Sequence, residues 1–380
     1  MVGFGKGAIF VELFEAANAM ERKLVEQAKE KRLPVMGSLE LLPLCNMDCD
    51  MCYVRLSRKE MEQKGRLRSA EEWLEIGRQM KEAGVLFLLL TGGEPFLYPE
   101  FERLYLGLRK MGMILTINSN GTLIDERLAG FLGRYKPRRV NITLYGASER
   151  TYEELCHFPG GLKRAINGIR LLRANGVDVK IGGSLTRANR HEIEEMIAVG
   201  ERLGVPVRVD TYMMPAERER SAPFQFQSRV EPEDAAEIRI RALKREMGEE
   251  VFRIYQGKVR EELGEGLRKR TEVSRGMSCY AGRCSFAVNW QGKMRPCVML
   301  TYPEVSVFDL GFDTAWEWIV KETEQIMLSM QCSGCHLRPL CRTCAASALA
   351  ETGDYAGVPE YMCRYAERSA RLLEREFPGE

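Results

Sequence analysis

The residues most able to do chemistry in this sequence are its cysteines. Twelve thiols stand against three histidines, His157, His191 and His336. They are clustered: three lie between residues 45 and 52 and eight between 279 and 363, which leaves Cys156 alone. The N-terminal apolar stretch carries Glu12 and Glu15 and lacks a basic-then-apolar signal pattern, so a cytoplasmic location is expected. In a reducing compartment, clustered cysteine reads as metal binding before disulfide. The scarcity of histidine turns that reading away from mixed Cys/His zinc sites and toward all-thiolate ligation.

Cys45-x3-Cys49-x2-Cys52, written CNMDCDMC, puts three thiolates on one tight loop. Three thiolates hold three corners of a cubane iron–sulfur cluster and leave the fourth iron open. An open position is what separates a reactive metal site from a structural one. A zinc loop borrowing a distant cysteine is the structural alternative. A second constellation, Gly92-Gly93-Glu94-Pro95, ends the run FLLLT. Its glycines permit close backbone approach and unusual dihedrals, and Glu94 offers a carboxylate to the ammonium of a bound amino acid. The eight C-terminal thiols, Cys279, Cys284, Cys297, Cys332, Cys335, Cys341, Cys344 and Cys363, are the number that two fully ligated four-iron clusters need. Zinc is the alternative that CxxC pairs always carry. Cys156, in TYEELCHFPGG at a helix end, reads as a small buried hydrophobe, with a hydrogen-atom donor as the sharper alternative. His157 beside it reads as structural.

The elements that must position these groups follow from periodicity. Ala8 to about Leu33 spaces Phe10, Leu13, Ala17, Met20 and Leu24 at helical intervals, a lead-in helix stopped near Pro34. From Ser38 to Pro215 the pattern alternates. Strands are expected at Ser38–Leu44, Val85–Thr91, Met113–Asn118, Arg139–Tyr145, Val177–Ser184 and Pro206–Met213. Helices are expected at about Ala70–Glu82, Glu100–Lys110, Glu126–Gly133, Gly161–Asn175 and Arg190–Leu203. Alternation of this kind implies right-handed crossovers and a parallel sheet. Six units are too few for a closed eight-strand barrel, so the fold class is α/β: a partial (βα)6 TIM-like barrel followed by a loop-rich, cysteine-rich domain. Reactive groups in such sheets gather at the carboxyl ends of the strands. There Asp210, in VRVDTYMMP, is a candidate base or substrate contact, with pairing to Arg208 or a backbone amide as the bland reading. The divisions expected are 1–37, 38–215, a charged helical connector 216–275, and 276–380.

Net charge is +2 from 56 basic and 54 acidic residues, which gives no support to a nucleic-acid or polybasic membrane surface. The longest strongly apolar run, Val85 to Leu90, is far short of the roughly 20 residues a membrane helix needs. The connector carries 27 charged side chains in 60 positions, a density that reads as a solvated face. Little periodicity survives in the last hundred residues, so bound metal is expected to supply much of their stability.

CNMDCDMC after the first strand resembles the CX3CX2C signature of the radical S-adenosylmethionine (SAM) superfamily, and GGEP at the end of the second strand resembles that superfamily's second motif. Cys279, Gly292, Cys297, then Cys332-x2-Cys335-x5-Cys341-x2-Cys344 and Cys363 resemble the SPASM extension of peptide- and protein-modifying members. The gap of two between Cys341 and Cys344 departs from the usual three. Met51 stands where an aromatic residue is common; a Met can still pack on adenine. The resemblance implies three [4Fe-4S] clusters. Cys45, Cys49 and Cys52 would hold the SAM-binding one, Cys279, Cys284, Cys297 and Cys344 the first auxiliary, and Cys332, Cys335, Cys341 and Cys363 the second. The open iron would chelate the amino and carboxylate groups of SAM. One-electron reduction would then release methionine and a 5′-deoxyadenosyl radical that takes hydrogen from substrate. Gly92, Gly93, Glu94, Asn118, Thr143, Ser184 and Arg187 would line the SAM site.

What the resemblance implies about substrate is a peptide or protein, modified by a ribosomal-peptide maturase that installs a thioether or carbon–carbon cross-link. These are net oxidations, for which auxiliary clusters give the electron a path. A flavodoxin- or ferredoxin-type one-electron reductant is implied. About 37 residues before the first strand leave no room for a winged-helix leader-binding module, so a separate leader-peptide-binding protein is a candidate partner. A formylglycine-forming sulfatase maturase is the first alternative, but Val298 follows Cys297 where that type places an acid. An epimerase and a non-catalytic iron–sulfur or zinc scaffold complete the alternatives, and a scaffold has no use for Gly92-Gly93-Glu94 at a strand end.

Overall fold

The computed structural model describes residues 19–214, 218–220, 228–268, 275–341 and 343–375. Helix α1 spans Ala19–Lys31; Phe10, Leu13 and Ala17 of the expected lead-in helix lie outside the described residues. Met20 and Leu24, expected on its packed face, are exposed, and Ala28 is the residue it buries.

The chain then alternates through β1 (Met36–Glu40), α2 (Arg58–Lys64), α3 (Ala70–Glu82), β2 (Phe87–Thr91), α4 (Phe101–Lys110), β3 (Ile114–Ser119) and α5 (Glu126–Arg134). It continues through β4 (Arg139–Leu144), α6 (Glu149–Cys156), α7 (Gly161–Ala174), β5 (Val179–Ser184), α8 (Ile193–Leu203) and β6 (Val207–Asp210). The six strands are parallel and lie in sequence order, as a partial (βα)6 barrel requires. Helix α3 begins on a Ser69/Glu72 capping box, and the unforeseen α2 on a Ser57/Glu60 one.

Two strand expectations need correction. The first strand ends at Glu40, not Leu44. Leu41 and Leu42 are fully buried, but beyond Leu41 the backbone turns from the ladder to the glycine loop: Gly93 N–H donates to Leu42 O at 2.7 Å and Glu94 N–H to Leu44 O at 2.9 Å. The sixth strand closes at Asp210, three residues before Met213.

The connector forms α9 (Pro232–Met247) and α10 (Glu249–Arg268). Its charges are not only a solvated face: Arg364 pairs with Glu233 at 2.9 Å and Arg239 is buried, donating to Val209 O at 2.9 Å. The C-terminal part holds more regular structure than its composition suggests. β7 (Ser285–Val288) joins the sheet beside β1 as a seventh parallel strand, followed antiparallel by β8 (Lys293–Arg295) and β9 (Val305–Ser306). Close approach makes Gly37 obligatory there, because a Cβ would lie 2.3 Å from the Phe286 ring. Helices α11 (Val307–Leu310), α12 (Phe312–Glu324), α13 (Met330–Ser333), α14 (Ala345–Thr352) and α15 (Glu360–Arg375) complete the chain.

Burial alternates strictly along β3, β4 and β5. Leu115, Ile117, Val140, Ile142, Val179 and Ile181 are buried, while the half-exposed set on the other face is polar apart from Ile114 and Gly182. This is the period-2 pattern of a sheet with one apolar side. Among the described residues no helix is long and apolar enough to cross a membrane.

Candidate iron–sulfur and SAM site

Cys45, Cys49 and Cys52 stand on the loop between β1 and α2, at the carboxyl end of the sheet. Two of the three sulfurs accept hydrogen bonds. Cys45 accepts from Met47 N–H at 3.4 Å and Asn120 Nδ2 at 3.6 Å, and Cys52 accepts from Arg55 N–H at 3.3 Å. The Cys45 thiol is pushed up to about 12, chiefly by burial, with the Met47 N–H bond opposing and the charges of Glu94, Cys49 and Cys52 adding. Cys52 is raised by burial and then by Cys49. A set of thiols that mutually oppose ionisation in a buried place needs a cation to hold it as thiolate. No cysteine is in a disulfide. A single tetrahedral zinc would draw its sulfurs to about 3.8 Å of one another. Among the described residues no group of three or more Cys, His, Asp or Glu side chains forms a single-ion site. Three thiols on one loop are the donor type that a four-iron cluster takes.

The glycine loop closes against this site. A Cβ at Gly93 would lie 2.2 Å from Leu44 O, and one at Gly92, whose φ is +141°, 2.5 Å from Leu42 O. Glu94 is fully buried. Its Oε1 accepts from Ser119 Oγ at 2.9 Å and Phe96 N–H at 3.2 Å, and its Oε2 from Asn120 N–H at 2.8 Å. Burial raises its pKa to about 7 against those three stabilising bonds. Both oxygens thus tie the end of β2 to the end of β3. From there Asn120 reaches Cys45 and also Asn46 Oδ1 (2.9 Å), whose own Nδ2 donates to Thr122 at 2.8 Å. Asn46, Asn120 and Thr122 were not singled out from the sequence. Their signal was the Asn-Gly turn immediately after a strand, at the carboxyl edge where sites collect.

The register aligns the remaining candidates on the polar face. Asn118 stands opposite Asn141, Thr143 opposite Gly182, and Ser184 opposite Asp210. Asn118 also accepts from Asn141 Nδ2 at 2.8 Å. Asp210 is exposed at the strand end and its Oδ1 accepts from Tyr212 N–H at 3.4 Å. Arg187 lies past the end of β5 and pairs with Glu231 at 2.8 Å. Cys156 has no exposure at all, and its carbonyl accepts from Asp48 N–H of the cysteine loop at 3.1 Å.

A second group was invisible in the sequence. Arg218 grips the buried Glu40 at the end of β1 with two bonds of 2.6 Å and donates to Val298 O, beside Cys297, at 3.1 Å. Glu219 and Arg220 N–H bond Tyr53 O, and Arg220 reaches Asp48 at 2.7 Å. Burial pushes the Tyr53 phenol up to about 12, opposed by Arg218 and augmented by Glu40, Cys52 and Cys297. Tyr53 therefore lies between the first thiol set and the C-terminal one.

The C-terminal thiols fall into two groups by mutual influence. Cys297 is pushed up to about 12 by burial, then by Cys344 and Cys279. Cys363 is pushed up to about 11 by burial, then by Cys341, Cys332 and Cys335. Cys284 is fully buried among Ala28, Val35 and Phe87; the thiol acting on it is Cys279.

Residues 39–199 match the model of the Radical SAM superfamily. Over 87% of this chain and 97% of its own length, an AdoMet-dependent heme synthase of Methanosarcina barkeri is 24% identical. A PqqA peptide cyclase of Gluconobacter oxydans is 28% identical over 45% of this chain and 47% of its own length. The fold is shared with SuiB of Streptococcus suis bound to the precursor peptide SuiA, at a TM-score of 0.66 and 16% identity, across 90% of this chain and 80% of that one. Thiol triplet, glycine loop, parallel partial barrel and sequence match agree: over residues 39–199 the chain carries a domain of the radical SAM superfamily.

Proposed function

We propose that this radical SAM enzyme modifies a peptide, forming a thioether or carbon–carbon cross-link. The observation that carries the reading is the second and third thiol groups, around Cys297 and around Cys363. A cross-link removes two hydrogens from substrate, and the radical takes only one with its electron; the remaining electron needs an acceptor. Two auxiliary four-iron clusters, on Cys279, Cys284, Cys297 and Cys344 and on Cys332, Cys335, Cys341 and Cys363, would supply that outlet. The fold shared with SuiB bound to its precursor peptide supports a peptide as substrate.

In this reading Cys45, Cys49 and Cys52 hold the SAM-binding [4Fe-4S] cluster, which supplies reductive cleavage of SAM when bound. Gly92 and Gly93 keep the loop low enough for backbone to meet the methionine end of SAM. Glu94 holds Asn120 against Cys45 as well as facing the amino-acid end. Asn118, Thr143 and Ser184 line the polar face, Arg187 lies beyond it, and Asp210 at the mouth touches substrate. The radical domain runs over 38–215, the connector over 216–275 and the auxiliary domain over 276–380. A flavodoxin- or ferredoxin-type reductant and a separate leader-binding protein are the partners.

One observation favours a second reading. The likeness to an AdoMet-dependent heme synthase spans nearly that protein's whole length, whereas the peptide cyclase is matched over about half. The test is anaerobic turnover with SAM and dithionite, using short peptides encoded beside the gene and, separately, tetrapyrrole carboxylates. A peptide product lighter by two hydrogens supports the first reading; a changed tetrapyrrole with unchanged peptides supports the second.

A further inference from the structure

Asn120 follows directly on β3 and is buried, and every hydrogen-bonding position of its side chain is taken. The side-chain oxygen accepts from Thr122 N–H at 2.9 Å and from Thr122 Oγ1 at 2.6 Å. The side-chain nitrogen donates to Asn46 Oδ1 at 2.9 Å and to Cys45 Sγ at 3.6 Å. A carboxamide has two acceptor positions and two N–H groups, so the sulfur takes the last of the four. Chemistry fixes the orientation. A backbone N–H can only donate, so the atom facing Thr122 N–H is the oxygen, and the nitrogen must face the sulfur. Asn46 Nδ2 donates in turn to Thr122 Oγ1 at 2.8 Å, which closes a ring of side chains around the amide. The other donors to Cys45 and Cys52 are backbone amides, of Met47 and Arg55. Asn120 is thus the donor that a substitution can remove.

A sulfur that ligates iron carries more negative charge when its cluster is reduced, and a neutral N–H aimed at it favours that state. The same N–H would be left buried and unpaired if the sulfur moved away, which costs free energy, so the contact also holds Cys45 in place. We infer that Asn120 is a positioning residue that fixes Cys45 and, through its side-chain N–H, raises the reduction potential of the SAM-binding cluster. The inference rests on the assignment of Cys45, Cys49 and Cys52 as that cluster's ligands. It gives the Asn-Gly turn a task beyond turning. Asp would form the same turn, yet it would set a carboxylate oxygen against the sulfur in place of a donor.

The experiment is a reductive titration, followed by EPR, of anaerobically reconstituted wild type, Asn120→Leu and Thr122→Val. Leucine has a similar shape and no donor; the valine loosens the ring but leaves the donor. The SAM-binding cluster is identified as the signal that changes on adding SAM. At the wild-type midpoint the reduced-to-oxidised ratio should fall several-fold in Asn120→Leu; a tenfold fall would be about 59 mV for a one-electron couple. Thr122→Val should stay close to wild type, because the backbone N–H of that residue still orients the amide. Asn120→Leu titrating with wild type, or Thr122→Val falling as far as Asn120→Leu, would overturn the inference alone. Should Asn120→Leu not hold its cluster, wild type carrying nitrogen-15 in its asparagine side-chain amides takes its place. A nitrogen coupling to the SAM-responsive cluster, recorded by pulsed EPR before SAM is added, supports the bond, and its absence overturns it. A wild type that takes up no iron would overturn the ligand assignment as well.

Discussion

Glu94 accepts three hydrogen bonds in a place closed to water, and the two facts pull its acidity in opposite directions. Burial wins, and its pKa rises to about 7 from about 4.3 in an unfolded chain. A raised folded value means the neutral acid is the form that folding favours. Its stabilising contribution is complete below about pH 4 and is lost as pH rises through about 7. In the iron-free protein, Glu94→Gln should remove that part of the decline; denaturant midpoints measured at about pH 5 and about pH 8 should differ less than in wild type. Gly93→Ala drives a methyl to within 2.2 Å of Leu44 O, immediately before Cys45. It should cost the SAM-binding cluster, seen as loss of about four irons of about twelve, with the C-terminal clusters retained. The reactive cysteines and the glycine loop could be read from spacing, because ligation and close approach impose fixed intervals. Asn120 could not be separated from Asn118 in INSNG, because the two stand on either side of the strand end at Ser119 and the sequence does not mark where the ladder stops.

At the scale of elements, strands inside the sheet were readable because each is a short apolar run between turn signals. The end of β1 was not, since Leu41 and Leu42 stay buried after the backbone has turned to the glycine loop. β7 was hidden for the opposite reason: a four-residue strand completed by β1 has no periodicity of its own. The contact of Arg218 with Glu40 joins residues 178 positions apart, beyond any local pattern. Their side chains are 1% and 5% exposed, so the pair is costly to break. Arg218→Met should destabilise by about 3–5 kcal/mol, by leaving a buried carboxylate unpaired. Arg218→Met with Glu40→Leu should recover most of that. Unfolding midpoints of the four proteins, measured with iron content held equal, complete the cycle.

At the scale of the molecule, one sheet runs from the radical domain into the C-terminal part through β1 and β7, and the Arg218 contact spans the same seam. The two C-terminal thiol groups sit beyond it, mostly on loops and short helices, with Cys363 near the start of the long α15. Removing iron under reducing, anaerobic conditions should therefore lower amide-exchange protection across residues 279–363, while β2 to β5, packed in the apolar core, keep theirs. The central claim is that the Cys45–Cys52 loop binds a cluster that cleaves SAM. The most direct measurement is 5′-deoxyadenosine released on anaerobic reduction with SAM, for wild type and for Cys45→Ala, each with its iron counted. Release by the wild type, with about twelve irons, and none by the variant, is the predicted result. Equal release by both, or none by a wild type that carries its full iron, would contradict it.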